Sequence, residues 1–135
     1  MLPGISNGTI SKKFIIALDD EFDVVTLIEQ SLQKLRYKVY YYTDPFIALE
    51  HFRLKLKYHC GMVISDISMP AMNGYEFTKN VKAIKPEVKI ILMSAFEINH
   101  TELSTVLPSV KIDAFLQKPF SLRTLENLIV TKYPN

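Results

Sequence analysis

Two alternating periodicities constrain this chain more than any other feature. Short, continuous apolar runs at residues 14–18, 61–64 and 90–93 are separated by stretches in which apolar residues recur every three or four positions. A run that short suits a parallel strand buried on both faces, whereas the three-four spacing lines one face of a helix. Val25, Ile28, Leu32 and Leu35 predict a first helix. Leu49, Phe52 and Leu56 predict a second, with Asp44 as its cap and Pro45 at its first position. Phe77, Val81 and Ile84 predict a third, ended by Pro86. A fourth falls at about residues 100–107, and Ser121 caps a last one whose stripe is Leu122, Leu125, Leu128 and Ile129. Residues 37–42 are aromatic and carry Lys38, which suits a strand nearer a sheet edge, and residues 114–117 read as a short fifth strand. The order is βαβαβαβαβα. Strands joined through helices require right-handed crossovers, so the fold class is α/β, a parallel sheet with helices on both faces.

Composition removes several classes of function. At 135 residues the chain is one domain, able to bury roughly two thirds of its unfolded surface without disulfide or metal. The formal net charge of +2 offers no basic stripe for direct nucleic-acid binding. The longest apolar run is five residues, far too short to span a membrane. The single cysteine, Cys60, excludes an intramolecular disulfide and a multi-cysteine metal knuckle. Residues 1–12 hold Pro3, Gly4, Gly8 and a polar stretch, with no hydrophobic segment of signal-peptide length. They read as a flexible lead-in to a domain over 13–133, and a cytoplasmic location is expected.

Ligands of such a sheet bind outside the carboxyl ends of its strands, so the polar residues there carry the functional argument. The first strand ends in Asp19, Asp20 and Glu21, the third in Ser65 and Asp66, the fourth in Ser94, and the fifth in Lys118-Pro119. Any one of these is an ordinary cap, turn former or solvated charge. Their coincidence at one edge is not. Two carboxylates ~4 Å apart repel by roughly 4 kcal/mol at an effective dielectric near 20, so three together call for a cation. Only hard oxygen donors are on offer, which suits Mg²⁺ and not zinc. A carboxylate beside a divalent cation, a lysine and a hydroxyl is equipped to accept a phosphoryl group.

In this arrangement the sequence resembles the receiver domain of two-component response regulators. The ordered set is Asp19-Asp20, then Asp66-Ile67-Ser68-Met69-Pro70 with Gly74, then Ser94-Ala95, then Lys118-Pro119-Phe120. The resemblance implies a doubly wound (βα)5, flavodoxin-like sheet of strand order 2-1-3-4-5. It implies that Asp66 is the phosphoacceptor and that Mg²⁺ is held by Asp20, Asp66 and the Ser68 backbone carbonyl, with Asp19 acting mainly through a bound water. Lys118 would pair with phosphoryl oxygens and Ser94 would donate to one of them. Lys118-Pro119 would be cis, and Phe115 would be the switch aromatic that turns inward when Ser94 moves. The implied phosphodonor is a sensor histidine kinase or phosphotransfer protein. The output would be a downstream protein target read at the surface of the fourth helix, fifth strand and last helix, with the chain a monomer or a phosphorylation-dependent dimer. Such a domain is a signalling module that catalyses only its own phosphorylation and dephosphorylation.

Two other functions fit parts of the pattern. A haloacid-dehalogenase-type phosphohydrolase also phosphorylates an aspartate, but it needs a second acid two residues on, where this chain has Ser68. A pseudo-receiver would keep the fold and bind partners without accepting phosphate. Elsewhere the bland readings are preferred: Tyr37, Tyr40, Tyr41 and Tyr42 as strand packing, and Arg53, Lys55 and Lys57 as a solvated helix face. Cys60 reads as a core residue, with His51 and His59 away from the acidic motif.

Overall fold

The computed structural model describes residues 13–95 and 110–135. Its strands are β1 (Phe14–Leu18), β2 (Lys38–Tyr42), β3 (Cys60–Asp66), β4 (Lys89–Ser94) and β5 (Ala114–Gln117). All pair in parallel, in the order β2-β1-β3-β4-β5, so the doubly wound α/β sheet expected from the sequence is present. Helices α1 (Phe22–Gln33), α2 (Pro45–Leu54) and α3 (Gly74–Ile84) precede a C-terminal helix (Leu122–Lys132). The helix expected at 100–107 and the lead-in at 1–12 lie outside the described residues.

The apolar runs are continuous because side chains alternate between two covered faces. Ile15, Ala17, Met62, Ile64, Ile91 and Met93 pack with Val25, Ile28 and Leu32 of α1 and with Leu125 and Ile129 of the C-terminal helix. Ile16, Leu18, Val63, Ile90 and Leu92 pack with Ala48 and Phe52 of α2 and with Phe77 and Val81 of α3. Each apolar residue of β1, β3 and β4 therefore enters one of two cores.

β3 ends at Ser65 and Asp66 as expected, its ladder with β4 continuing to the Asp66↔Met93 pair. Other boundaries differ from expectation. Tyr37 drops out of β2: its side chain is buried, and its hydroxyl donates to the Tyr133 carbonyl at 2.5 Å. Leu56 is buried as expected, but from a short 3-10 turn (Leu56–Tyr58) after α2. Leu122 stays exposed at the start of its helix, leaving Leu125 and Ile129 as the anchors.

Local capping fixes where the helices begin. Asp44 Oδ1 accepts from the Phe46 amide at 2.8 Å and opens α2. Asn73 and Glu76 exchange side-chain and backbone hydrogen bonds at the start of α3, a reciprocal capping box. Ser121 Oγ accepts from the Thr124 amide at 3.0 Å. The Gly74 amide donates to the Ile67 carbonyl at 2.9 Å, holding the start of α3 against the end of β3.

Gly74 has no room for a side chain: a Cβ there would sit 2.2 Å from the Asp66 carbonyl oxygen. Gly74→Ala must therefore push α3 away from the strand end that carries Asp66. We expect it to lower the urea midpoint by an amount worth about 1–3 kcal/mol, the range for forced overpacking. A variant as stable as wild type would show that this approach is not tight.

Candidate functional site

Parallel pairing delivers the carboxyl ends of the strands to one edge of the sheet. Asp19 and Asp20 follow β1, Asp66 closes β3, Ser94 closes β4, and Lys118 follows β5. Backbone hydrogen bonds continue the pairing past the strands. The Asp19 amide donates to the Tyr42 carbonyl at 3.2 Å, Ile67 to Met93 at 2.9 Å, and Lys118 to Ser94 at 2.7 Å. The peptide bond Lys118-Pro119 is cis.

Lys118 is the centre of the arrangement. Its Nζ lies 2.6 Å from Asp19 Oδ2 and 3.2 Å from Asp66 Oδ1, so one ammonium joins two buried carboxylates. Asp19 Oδ1 accepts the Glu21 amide at 2.9 Å, which employs its second oxygen. Asp20 is exposed, yet oxygens of Asp19, Asp20 and Asp66 all lie within 4.8 Å of one another. Ser94 is buried at the end of β4, in register with Gln117. Phe115, opposite Leu92, is partly buried against the core beneath α2 and α3. Ser68 is exposed in the segment after β3. Thus Asp19, Asp20, Asp66 and Lys118 form one cluster, with Ser94 on the neighbouring strand end and Phe115 farther down β5.

The electrostatics are those of an under-compensated site. Burial raises the Asp19 carboxyl above its usual range, against the lowering pull of Lys118. Burial, then the charge of Asp19, raises Asp66 despite the same lysine. Burial alone would lower Lys118, but the two carboxylates outweigh it and hold the ammonium above its ordinary range. Formally, the three clustered aspartates outweigh the one ammonium, an excess of negative charge that a divalent cation would offset. The donors are all hard oxygens, which is the preference of Mg²⁺.

Glu21 is the residue that sequence reasoning mentioned but did not place in the site. Its Oε1 lies 3.9 Å from Lys118 Nζ. The signal available was its adjacency to the acidic pair, but a carboxylate at the start of a helix is ordinary. Among the residues set aside, Tyr37 is buried outside β2, and Lys55 and Lys57 lie beyond the end of α2. Tyr40 packs on Phe14 with ring centroids 5.6 Å apart, and Tyr42 pairs with His51 at 2.8 Å. Cys60 is buried, and burial pushes its thiol up to about 11.

A raised carboxyl pKa means that ionised Asp66 is less favourable in the folded chain than in the unfolded one. The folded state then keeps its proton to higher pH, and this group's contribution to stability declines as pH rises above 3.8. Asp66→Asn, which mimics the neutral acid, should match wild type near pH 3.5 (an acidity at which the carboxyl is largely protonated). Without added metal it should be the more stable protein at neutral pH. Urea melts across this range test the sign, and a wild type more stable than Asp66→Asn at neutral pH would reverse it.

Known proteins fit the same description. A family model for the response regulator receiver domain matches residues 15–130. The probable transcriptional regulator ycf27 of Cyanophora paradoxa is 30% identical over 122 residues, covering 87% of this chain and 46% of that protein. The chain spans less than half the length of the curated relatives it matches. Among solved structures, the chemotaxis response regulator CheY4 of Vibrio cholerae superposes with a TM-score of 0.78 at 24% identity, covering 90% of this chain and 98% of that one. A CheY-like receiver domain protein from Methanospirillum hungatei JF-1 gives 0.78 at 22% identity, with coverage of 90% and 94%. These two likenesses speak for the fold, and the family match extends over most of the chain. The chain belongs to the response regulator receiver domain family.

Proposed function

We propose that this chain is an active phosphoacceptor: Asp66 takes a phosphoryl group from a sensor histidine kinase or phosphotransfer protein in a Mg²⁺-dependent reaction. The observation that carries the reading is the Asp66 carboxylate 3.2 Å from Lys118, with Asp19 and Asp20 oxygens within 4.8 Å. An Asp66 oxygen forms the new O–P bond as the donor's bond to phosphorus breaks, and the leaving group departs with that electron pair. No proton is required from Asp66. Lys118, held between two carboxylates, would bind the equatorial oxygens, and Ser94 would donate to one of them. Asp20, Asp66 and the Ser68 backbone carbonyl would hold Mg²⁺, with Asp19 contributing through a bound water. When bound, the cation supplies charge neutralisation to the transferring group.

Acetyl phosphate with Mg²⁺ should add one phosphoryl group to the wild type by intact mass and none to Asp66→Asn, and chelation should stop the reaction. Bound Mg²⁺ without any mass change in the wild type would favour the phosphate-blind module instead. Ser68, two residues after Asp66, has no carboxyl with which to assist a leaving group, which disfavours the phosphohydrolase reading.

The output we propose is a change in the surface of β5 and the C-terminal helix, read by a downstream protein. Movement of Ser94 toward a phosphoryl group would vacate space for Phe115, which is only partly buried now. Full burial of a phenylalanine ring is worth on the order of 1.5–3 kcal/mol, enough to bias two pre-existing states without creating a new one. Beryllofluoride, a phosphoryl mimic, should therefore shift the amide resonances of Phe115, Leu116, Leu122 and Leu125 as well as those around Asp66. Shifts confined to the neighbours of Asp66 would reject the switch while leaving phosphorylation intact.

A further inference from the structure

Glu21 occupies the cap position of α1 without capping it. Its backbone is extended (φ −94, ψ 111), and its side chain makes no hydrogen bond to the helix amides. The rest of its backbone is pinned. Its amide donates to Asp19 Oδ1 at 2.9 Å, and its carbonyl accepts from Val24 and Val25 at 3.1 and 3.4 Å. A serine or aspartate here would turn its short side chain back to the helix. The longer glutamate instead places Oε1 3.9 Å from Lys118 Nζ, with its side chain 70% exposed. Lys118 in turn lies 3.2 Å from Asp66, so the Glu21 charge sits no more than about 7 Å from the Asp66 carboxylate, a range over which charges interact appreciably. Glu21 is thus an exposed negative charge at the mouth of a site that an anionic donor must enter.

We propose that Glu21 is a charge gate on phosphotransfer: it holds Lys118 from the solvent side and disfavours small anionic phosphodonors. The proposal rests on the phosphoacceptor reading of Asp66. Glu21 touches neither bond that changes, so it is a positioning and specificity-determining residue, not a catalytic one. With acetyl phosphate, an Asp66 oxygen bonds to phosphorus as the P–O bond breaks and acetate leaves with the electron pair. With phosphoramidate, the P–N bond breaks and its already protonated nitrogen leaves as ammonia. The chemistry at Asp66 is the same for both, but phosphoramidate brings less negative charge past Glu21 at neutral pH. A purely structural role, such as favourable contact with the helix dipole, would change stability and leave the ratio of the two donors alone.

The test compares the full chain with Glu21→Gln and Glu21→Asp by intact-mass time courses with each donor and Mg²⁺, at low and high salt. For Glu21→Gln at low salt, we expect acetyl phosphate to react about threefold to tenfold faster, the range for removing one exposed charge near a doubly charged donor. The gain should be smaller with phosphoramidate and should shrink in high salt, as screening of an exposed charge requires. Glu21→Asp should stay closer to wild type. An unchanged or slower Glu21→Gln, an equal gain with both donors, or a gain insensitive to salt would overturn the gate while leaving Asp66 as acceptor. A wild type that takes no phosphoryl group from either donor would overturn the phosphoacceptor reading, and the gate with it.

Discussion

β1 and β3 pair in parallel from Ile15↔Met62 to Leu18↔Ser65, and that pairing obliges Asp19 and Asp66 to emerge side by side at one edge. The rest of the structure serves this arrangement. Helices on both faces bury the interior strands β1 and β3, whose ends carry these carboxylates. β4 and β5 then extend the edge, bringing in Ser94 and Lys118 through the same parallel register. Gly74 lets α3 begin directly against the Asp66 carbonyl.

Buried like charges at that edge carry a cost that the site only partly offsets. Lys118 compensates for Asp19 and Asp66, and both carboxyls nonetheless remain harder to ionise than in water. A fold selected for stability alone would replace such groups with apolar ones. Under the proposed reading, a divalent cation would offset this negative charge before a phosphoryl group arrives. Glu21 adds a further charge on the solvent side, 3.9 Å from Lys118 Nζ.

Much of this was legible in the sequence because the signals are local. The two-core packing is written in the continuous runs at β1, β3 and β4. The caps at Asp44 and Ser121 use side chains whose chemistry suits only a few positions. Tyr37 and Leu56 were misplaced for the opposite reason. Both look like continuations of a strand or helix, and both leave it to reach burial elsewhere, Tyr37 against Tyr133 nearly a hundred residues away. Glu21, named in the acidic run after β1, was not assigned to the site because an acid at a helix start has an ordinary explanation, and nothing in the chain marks which way it points.

Periodicity and the order of polar residues at strand ends are enough to specify a parallel α/β sheet and to nominate Asp19, Asp20, Asp66, Ser94 and Lys118. Those depend on alternation and on pairing rules that hold for any such chain. Only the tertiary structure decided that Lys118 spans two aspartates, that Asp19 is buried while Asp20 is exposed, and that Glu21 reaches the lysine. Distances between residues 99 positions apart follow from register and side-chain direction, which are fixed when the two faces of the sheet are packed and not before.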